Sequence, residues 1–178
     1  MADIMFAGIG GQGVLTAGKV LIEIAAENGK NVSWTSEYSA EMRGGTALCR
    51  VVISDEEIGS PYPDLLDVLC CMTESAYDKY VDVMRDGGTI VVNSSLFTRT
   101  DFPKEYKVYG VDTAKITSEE GNGRAANLVI MGAMLKATNM LDVNEFEKTL
   151  DAYFAKKGKS NPSNIKCFRR GYEEAAEM

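Results

Sequence analysis

Residues 2–29 read ADIMFAGIGGQGVLTAGKVLIEIAAENG, and this stretch decides the fold. The apolar run at 3–7 predicts a short buried strand, and residues 12–28 have the apolar spacing of a helix. Between them, the sequence GIGGQG at 8–13 matches the spacing G-x-G-x-x-G of a dinucleotide-binding loop. A strand, a glycine turn and a helix in this order indicate the first unit of an α/β fold.

Strand and helix patterns alternate along most of the remaining chain. Strands are predicted at 31–37, 46–54, 67–72, 89–93 and 106–112. Helices are predicted from the Thr73 cap to Met84 and at 127–138, 143–157 and 164–178. We therefore expect one Rossmann-like α/β domain over residues 1–178. It should have a mostly parallel sheet, helices on both faces and a helical C-terminal third.

Composition narrows the classes of partner. The 178 residues carry a net charge of −7, which argues against nucleic acid or an anionic membrane as the main partner. No segment approaches the roughly 18 apolar residues of a membrane span, and the N-terminus lacks the features of a secretory leader. The four cysteines show no CxxC spacing, so we expect buried free thiols and a cytoplasmic protein.

The chain contains no histidine. This excludes Ser-His and Cys-His catalytic groupings and removes the most common general base and metal ligand. The scattered cysteines are poorly suited to an iron–sulfur or zinc site. We therefore predict no catalytic and no metal-binding residues on this chain.

The glycine loop has three interpretations on its own. It can be a tight turn that binds no ligand, or an anion site at a helix N-terminus. A nicotinamide site would additionally need an acidic residue about 20 positions on, for which Glu37 is the candidate. Glu37 runs directly into a polar, glycine-ended loop that has a pattern of its own.

Three segments together resemble a known family. They are GIGGQGVLTAGKVL (8–21), SEYSAEMRGGTALCRVVISDEEIGSP (36–61) and GNGRAANLVIMGA (121–133). This combination resembles the gamma subunit of 2-oxoacid:ferredoxin oxidoreductases over essentially the whole chain. The family's arginine loop commonly reads Ser-Tyr-Gly-Pro-Glu-x-Arg-Gly-Gly, whereas residues 37–45 here read EYSAEMRGG. The change leaves the family assignment intact but alters the backbone preferences of the turn.

The resemblance implies a function within a complex. Such enzymes convert a 2-oxoacid and coenzyme A to acyl-CoA and CO₂ and pass electrons to ferredoxin. The resemblance also implies that partner subunits hold thiamine diphosphate, Mg²⁺ and iron–sulfur clusters. These partners are thiamine-binding alpha/beta subunits and a ferredoxin-like iron–sulfur subunit. The isolated chain should then be inactive. This chain should contribute to assembly and to the coenzyme A site.

The residues expected at that site are Gly8, Gly10, Gly11, Gln12, Gly13, Glu41, Arg43, Gly44 and Gly45. Arg43 offers a planar fork for phosphate, but an ion pair with Glu41 or with a partner carboxylate is the open alternative. Asn122 is expected to cap a helix and Arg124 to lie in solvent, with contact of these residues with a ligand as the less favoured alternative. Asn93, at a strand end, suits either a ligand site or an ordinary turn.

Two other functions stay open from sequence alone. One is a self-sufficient NAD(P)- or flavin-binding oxidoreductase that uses the same loop. The other is a purely structural assembly subunit whose loop holds no ligand. Within the family, the sequence favours the 2-oxoglutarate type over the pyruvate, 2-oxoisovalerate and indolepyruvate types.

Overall fold

The computed structural model of the chain describes residues 1–38, 45–62 and 64–178. The strands are β1 (Ala2–Ile9), β2 (Asn31–Tyr38), β3 (Thr46–Ser54), β4 (Leu66–Cys71), β5 (Met84–Asn93), β6 (Lys107–Val111) and β7 (Ala176–Glu177). The helices are α1 (Val14–Glu27), α2 (Glu74–Tyr80), α3 (Thr113–Glu119), α4 (Ala126–Thr138), α5 (Val143–Lys156) and α6 (Pro162–Glu174). Among the described residues, no helix combines the length and the apolar character needed to cross a bilayer.

The strands of the described chain form one sheet in the order β2-β3-β1-β4-β5-β6-β7. β1, β4, β5 and β6 pair in parallel. β3 is antiparallel to both β1 and β2, so that β2 and β1 point the same way. Only β3 and β7 among these strands oppose the common direction. The predicted α/β fold with a mostly parallel sheet and a helical C-terminal third is confirmed.

Helices cover both faces of the sheet, as predicted. On one face, α1 and α4 bury strand residues that include Phe6 and Cys70, and α6 packs on α4. On the other face, α2 and the segment 97–106 cover residues that include Met5 and Cys71. Successive side chains of a strand point to opposite faces, so the adjacent cysteines belong to different halves of the core.

α4 is the central helix of the C-terminal third, and its residues 127–135 are all buried. α6 crosses it at a separation that leaves no room for side chains between the two backbones. A Cβ added at Gly132 would lie 2.7 Å from the backbone nitrogen of Tyr172, and one added at Gly171 would lie 2.8 Å from the Cα of Val129. Glycine at both positions is therefore what permits this crossing.

The helix predicted from the Thr73 cap to Met84 is an α-helix to Tyr80 and a 3-10 turn over Val81–Val83, after which Met84 pairs with Leu66 and begins β5. Another helix prediction is wrong at its C-terminal end. The helix predicted over 164–178 ends at Glu174. The next residues leave the helix because the free edge of β6 offers backbone hydrogen bonds, and the chain pairs there as β7. The short helix α3 was not predicted.

The α4–α6 crossing yields a stability prediction. We expect Gly132→Ala to lower the free energy of unfolding by about 1–3 kcal/mol, because the added methyl group meets backbone atoms that cannot turn aside. Gly123→Ala is the control, since in the part of the chain that the structure describes a Cβ there has no heavy atom within 4 Å. Urea unfolding of both variants measures the difference. Equal stability of the two variants would contradict the close crossing.

Candidate functional site

The glycine loop, residues 8–13, joins β1 to α1 at the carboxyl edge of the parallel strands. β4 lies next to β1 in the sheet. α1 packs on one face of the sheet, whereas α2, which follows β4, packs on the other. In open α/β sheets, such a change of face at the carboxyl ends of adjacent strands forms the crevice in which ligands bind.

Two hydrogen bonds close this loop. The N–H of Ile9 donates to Gln12 Oε1 at 2.9 Å, and the N–H of Gln12 donates to the carbonyl oxygen of Ile9 at 3.3 Å. Gly11 and Gly13 have φ angles of 93° and 75°. Residues with a side chain rarely adopt such angles, so the path of the loop requires glycine at both positions.

The glycines of the loop differ in what surrounds them. A Cβ at Gly8 would lie 2.7 Å from Met72 Cβ, and one at Gly13 would lie 2.8 Å from Asn127 Nδ2. These two positions are therefore packed against the protein. A Cβ at Gly11 would have no heavy atom of the described residues within 4 Å. The backbone of Gly11 is thus the part of the loop that is open to a ligand.

The N-terminus of α1 follows this open position directly. Gly13 is the N-cap residue, no side chain of the described residues caps the helix, and the first turn contains no acidic residue. The first N–H groups of an α-helix have no acceptor within the helix, and they carry the positive end of its dipole. This end of α1 is therefore suited to an anionic group of a ligand.

The polar loop predicted at 37–45 begins and ends beside the glycine loop. The N–H of Gly10 donates to the carbonyl oxygen of Gly45 at 3.1 Å. At the other end, the hydroxyl oxygen of Tyr38 lies 3.0 Å from the position of a Cβ on Gly10. Of the predicted site residues, Glu41, Arg43 and Gly44 lie outside the described residues. Gly45 is brought to the glycine loop.

Glu37 is not placed to serve a nicotinamide cofactor. In the dinucleotide-binding arrangement, the acidic residue ends a strand adjacent to β1. Here β3 lies between β1 and β2, with Ala7 opposite Leu48 and Leu48 opposite Glu37. Two strand spacings separate Glu37 from β1 by about 10 Å. The observed strand order therefore disfavours the NAD reading of the loop.

Asn127 is a residue that sequence reasoning missed. It is buried at the start of α4, and its Nδ2 donates to the carbonyl oxygen of Gly13 at 3.2 Å. The side chain ties the C-terminal third of the chain to the glycine loop. A polar residue at the beginning of an otherwise apolar helix is the sequence signal for such a contact.

Asn93 holds neighbouring elements together at the same edge of the sheet. Its Oδ1 accepts hydrogen bonds from the hydroxyls of Ser95 and Thr113 at 2.5 and 2.8 Å. Its Nδ2 donates to the carbonyl oxygen of Met72 at 3.4 Å. Since Asn93 is only 2% exposed, its observed role is to join the ends of β4 and β5 to the start of α3.

The predicted capping role of Asn122 is wrong. Among the described residues, α4 has Ala125 as its N-cap and no side-chain cap. Asn122 Nδ2 instead donates to Ser163 Oγ and Asn164 Oδ1 of α6, at 2.9 and 2.8 Å. Asn122 has these partners because α6 packs against the loop before α4. Arg124 is exposed, as predicted.

The cysteine side chains are buried and free, as the sequence predicts. Burial raises the pKa of Cys49 to about 11 and raises the pKa of Cys70 and Cys71 as well. Thiols with such pKa values stay protonated near neutral pH and are poor nucleophiles. These three side chains therefore act as small apolar residues of the core.

A family model described as pyruvate ferredoxin/flavodoxin oxidoreductase matches residues 3–174. The chain belongs to this family. Within it, the chain is 36% identical to the 2-oxoglutarate synthase subunit KorC of Methanocaldococcus jannaschii, over 99% of this chain and 95% of that protein. The predicted resemblance to gamma subunits is confirmed.

Solved structures of the family have the same fold. The gamma subunit of a keto/oxoacid ferredoxin oxidoreductase from Geobacter sulfurreducens superposes with a TM-score of 0.81 at 30% identity, over 98% of both chains. The 2-oxoglutarate:ferredoxin oxidoreductase from Magnetococcus marinus, solved with 2-oxoglutarate, coenzyme A and succinyl-CoA bound, gives a TM-score of 0.85 at 25% identity. That match covers 99% of this chain and 32% of the other.

Some relatives are much longer proteins. The chain is 37% identical to the ketoisovalerate oxidoreductase subunit VorA of Methanothermobacter thermautotrophicus, over 98% of this chain. It spans 36% of the length of that relative. The family thus contains this fold both as most of a short subunit and as about a third of a longer chain.

The side chain of Gln12 gives a prediction about the loop itself. Gln12→Ala removes the acceptor of the Ile9 N–H, and we expect a loss of about 1 kcal/mol in the free energy of unfolding. Gln12→Glu has nearly the same shape, keeps an oxygen at this position and should lose less. Urea unfolding of the two variants tests this order. Equal losses in the two variants would show that this hydrogen bond contributes nothing to the free energy of unfolding.

Proposed function

We propose that the chain is the gamma subunit of a 2-oxoacid:ferredoxin oxidoreductase. The complex would convert a 2-oxoacid and coenzyme A to acyl-CoA and CO₂, with reduction of ferredoxin. In this proposal, the chain contributes to assembly and binds coenzyme A at the glycine loop. The observation that carries it is an open loop glycine beside an uncapped helix N-terminus, in a family whose Magnetococcus marinus member was solved with coenzyme A bound.

Coenzyme A fits this loop through its diphosphate. The diphosphate is an anion, and the exposed backbone of Gly11 leaves space for its close approach. The N–H groups at the start of α1 supply hydrogen-bond donors and the positive end of the helix dipole. No acidic side chain in the first turn of α1 opposes that charge. The loop would bind and orient coenzyme A without taking part in proton transfer.

Arg43 is proposed as a second group for the anion. Gly45 bonds to Gly10, and Arg43 precedes Gly45 by two residues, a separation that an extended chain spans in at most about 7 Å. A guanidinium group can form two parallel hydrogen bonds to a phosphate or carboxylate. Glu41 is the alternative partner of Arg43 in the same segment. Glu41 and Gly44 complete the proposed site.

The redox and carbanion chemistry is assigned to partner subunits. Thiamine diphosphate with Mg²⁺ would stabilise the carbanion on thiamine-binding subunits, and iron–sulfur clusters on another subunit would carry electrons to ferredoxin. The cysteines of this chain are buried. In the part of the chain that the structure describes, no three His, Cys, Asp or Glu side chains are grouped to hold a metal ion.

We favour 2-oxoglutarate as the substrate of the complex. The match to KorC covers nearly the full length of both proteins, in keeping with a free-standing subunit. The substrate itself would be selected beside the thiamine on other subunits. We also place the complex in the cytoplasm, because reduced thiols are maintained there.

The role of the loop is tested with a matched pair of glycine variants. In the assembled enzyme, Gly11→Val should raise the KM for coenzyme A by about tenfold or more, because the side chain blocks the approach of the diphosphate. Gly29→Val is the control: Gly29 follows the other end of α1, has a φ of 75° and has equally open surroundings. It imposes similar backbone strain and should leave the KM unchanged.

An unchanged KM in Gly11→Val, with normal assembly, would remove the loop from the coenzyme A site. It would favour the purely structural assembly subunit. Thermal melting of the parent chain and of both variants with coenzyme A or NADH provides a second readout. A shift of the parent chain with NADH alone would support the nicotinamide alternative.

The arginine is tested by a double-mutant cycle. Arg43→Lys keeps the charge but loses the planar fork, so a phosphate-binding Arg43 should lose about 1–3 kcal/mol of coenzyme A affinity. If Arg43 pairs with Glu41 at the surface, the loss should stay below about 1 kcal/mol. Titrations of Arg43→Lys, Glu41→Gln and the double variant separate the two cases. Strong coupling with unaltered coenzyme A kinetics would support the ion pair.

A further inference from the structure

Large apolar side chains are exposed at both ends of the parallel strands. The end where β1 and β4 begin carries Met1, Tyr62 and Leu65. The opposite end, where β1, β2 and β5 finish, carries Ile9, Tyr38 and Leu96. Tyr38 lies outside the glycine loop but touches it, and 61% of its surface stays exposed. Its aromatic ring is therefore accessible to a ligand at the open loop.

The sheet register shows how the ring reaches the loop. Tyr38 is the last residue of β2 and lies opposite Ala47 of β3, and Ala47 in turn lies opposite Gly8 of β1. Ala47 and Gly8 are both small, so the ring of Tyr38 has room to extend across the end of β3. Its hydroxyl oxygen, Cε2 and Cζ atoms lie 3.0, 3.4 and 3.6 Å from the position of a Cβ on Gly10.

This contact fixes one end of the ring and leaves the rest free. The phenol end rests against Gly10, one residue before the open backbone of Gly11. Most of the side chain faces solvent. An anchored ring loses little further conformational freedom when a flat group stacks on it. The face of an aromatic ring can stack on any nucleobase.

We propose that Tyr38 is a binding residue for the adenine base of coenzyme A. The inference rests on the proposed function, which places the diphosphate at Gly11 and the start of α1. Two arms leave that diphosphate. The pantetheine arm carries the thiol to the thiamine on a partner subunit, so it leads away from this chain. The adenosine arm stays at the glycine loop, where Tyr38 presents its ring.

The test compares coenzyme A with 4′-phosphopantetheine, which keeps the thiol arm but lacks the adenosine. In the assembled enzyme, Tyr38→Ala should lower kcat/KM for coenzyme A by roughly 5- to 100-fold and leave that for 4′-phosphopantetheine unchanged. Tyr38→Phe keeps the ring and should stay within about twofold of the parent enzyme for both substrates.

Tyr62→Ala is the matched control. Tyr62 is 59% exposed, close to the value of Tyr38, but it lies near the start of β1, away from the glycine loop. Tyr62→Ala should leave kcat/KM unchanged for both substrates. Thermal melting and size-exclusion chromatography confirm that each variant folds and assembles. An equal loss for both substrates in Tyr38→Ala, or a loss in Tyr38→Phe as large as that in Tyr38→Ala, would overturn the stacking role.

The failure of this inference is distinguishable from the failure of the proposed function. If Gly11→Val weakens the use of coenzyme A but Tyr38→Ala does not, the loop holds the diphosphate and the base binds elsewhere. If neither variant changes the kinetics with coenzyme A, the site does not lie on this loop, and both proposals are wrong.

Discussion

The close crossing of α4 and α6 is the constraint on which the glycine loop depends. Gly132 and Gly171 let the two backbones approach, and this seats α4 in the centre of the C-terminal third. The first turn of α4 then places Asn127 against the carbonyl oxygen of Gly13. The helical third therefore supports the loop in addition to covering the sheet. Because Asn127 supports the loop from the side of the protein core, the loop presents a preformed surface to a ligand.

The insertion of β3 changes what a dinucleotide-binding pattern means. The loop at 8–13 has the glycine spacing of a nicotinamide site, and it follows a strand as such a site requires. Because β3 separates β1 from β2, the acidic residue near the end of β2 lies about two strand spacings from β1, whereas that use requires a strand adjacent to β1. The same insertion brings Tyr38 and Gly45 to Gly10. The local motif is shared with nicotinamide enzymes, and the sheet around it is different.

Local features of the fold could be predicted from the sequence, and long-range ones could not. The bounds of β3 were predicted correctly because β-branched residues and glycines mark them. Its antiparallel place between β1 and β2 depends on pairing across the sheet, which periodicity does not reveal. β7 was not predicted for the same reason, since Ala176–Glu177 form a strand only by pairing with β6.

The candidate site divides in a similar way. The site residues Gly8, Gly10, Gly11, Gln12, Gly13 and Gly45 were predicted from glycine spacing and from the family resemblance, and the structure joins Gly45 to Gly10 by a hydrogen bond. Tyr38 and Asn127 were not predicted as site residues. Their roles come from the β2–β3–β1 register and from the packing of α4, and both are tertiary effects.

Hydrogen–deuterium exchange of the assembled enzyme tests the central claim most directly. The claim is that the glycine loop and the start of α1 bind coenzyme A. Coenzyme A should slow exchange of the amides of Gly11 and of residues 13–16, because the diphosphate would accept hydrogen bonds from them, and NADH should not. The far end of α1 should exchange at the same rate with and without coenzyme A. Unchanged exchange at Gly11 and residues 13–16 under saturating coenzyme A, with protection confined to other subunits, would contradict the account.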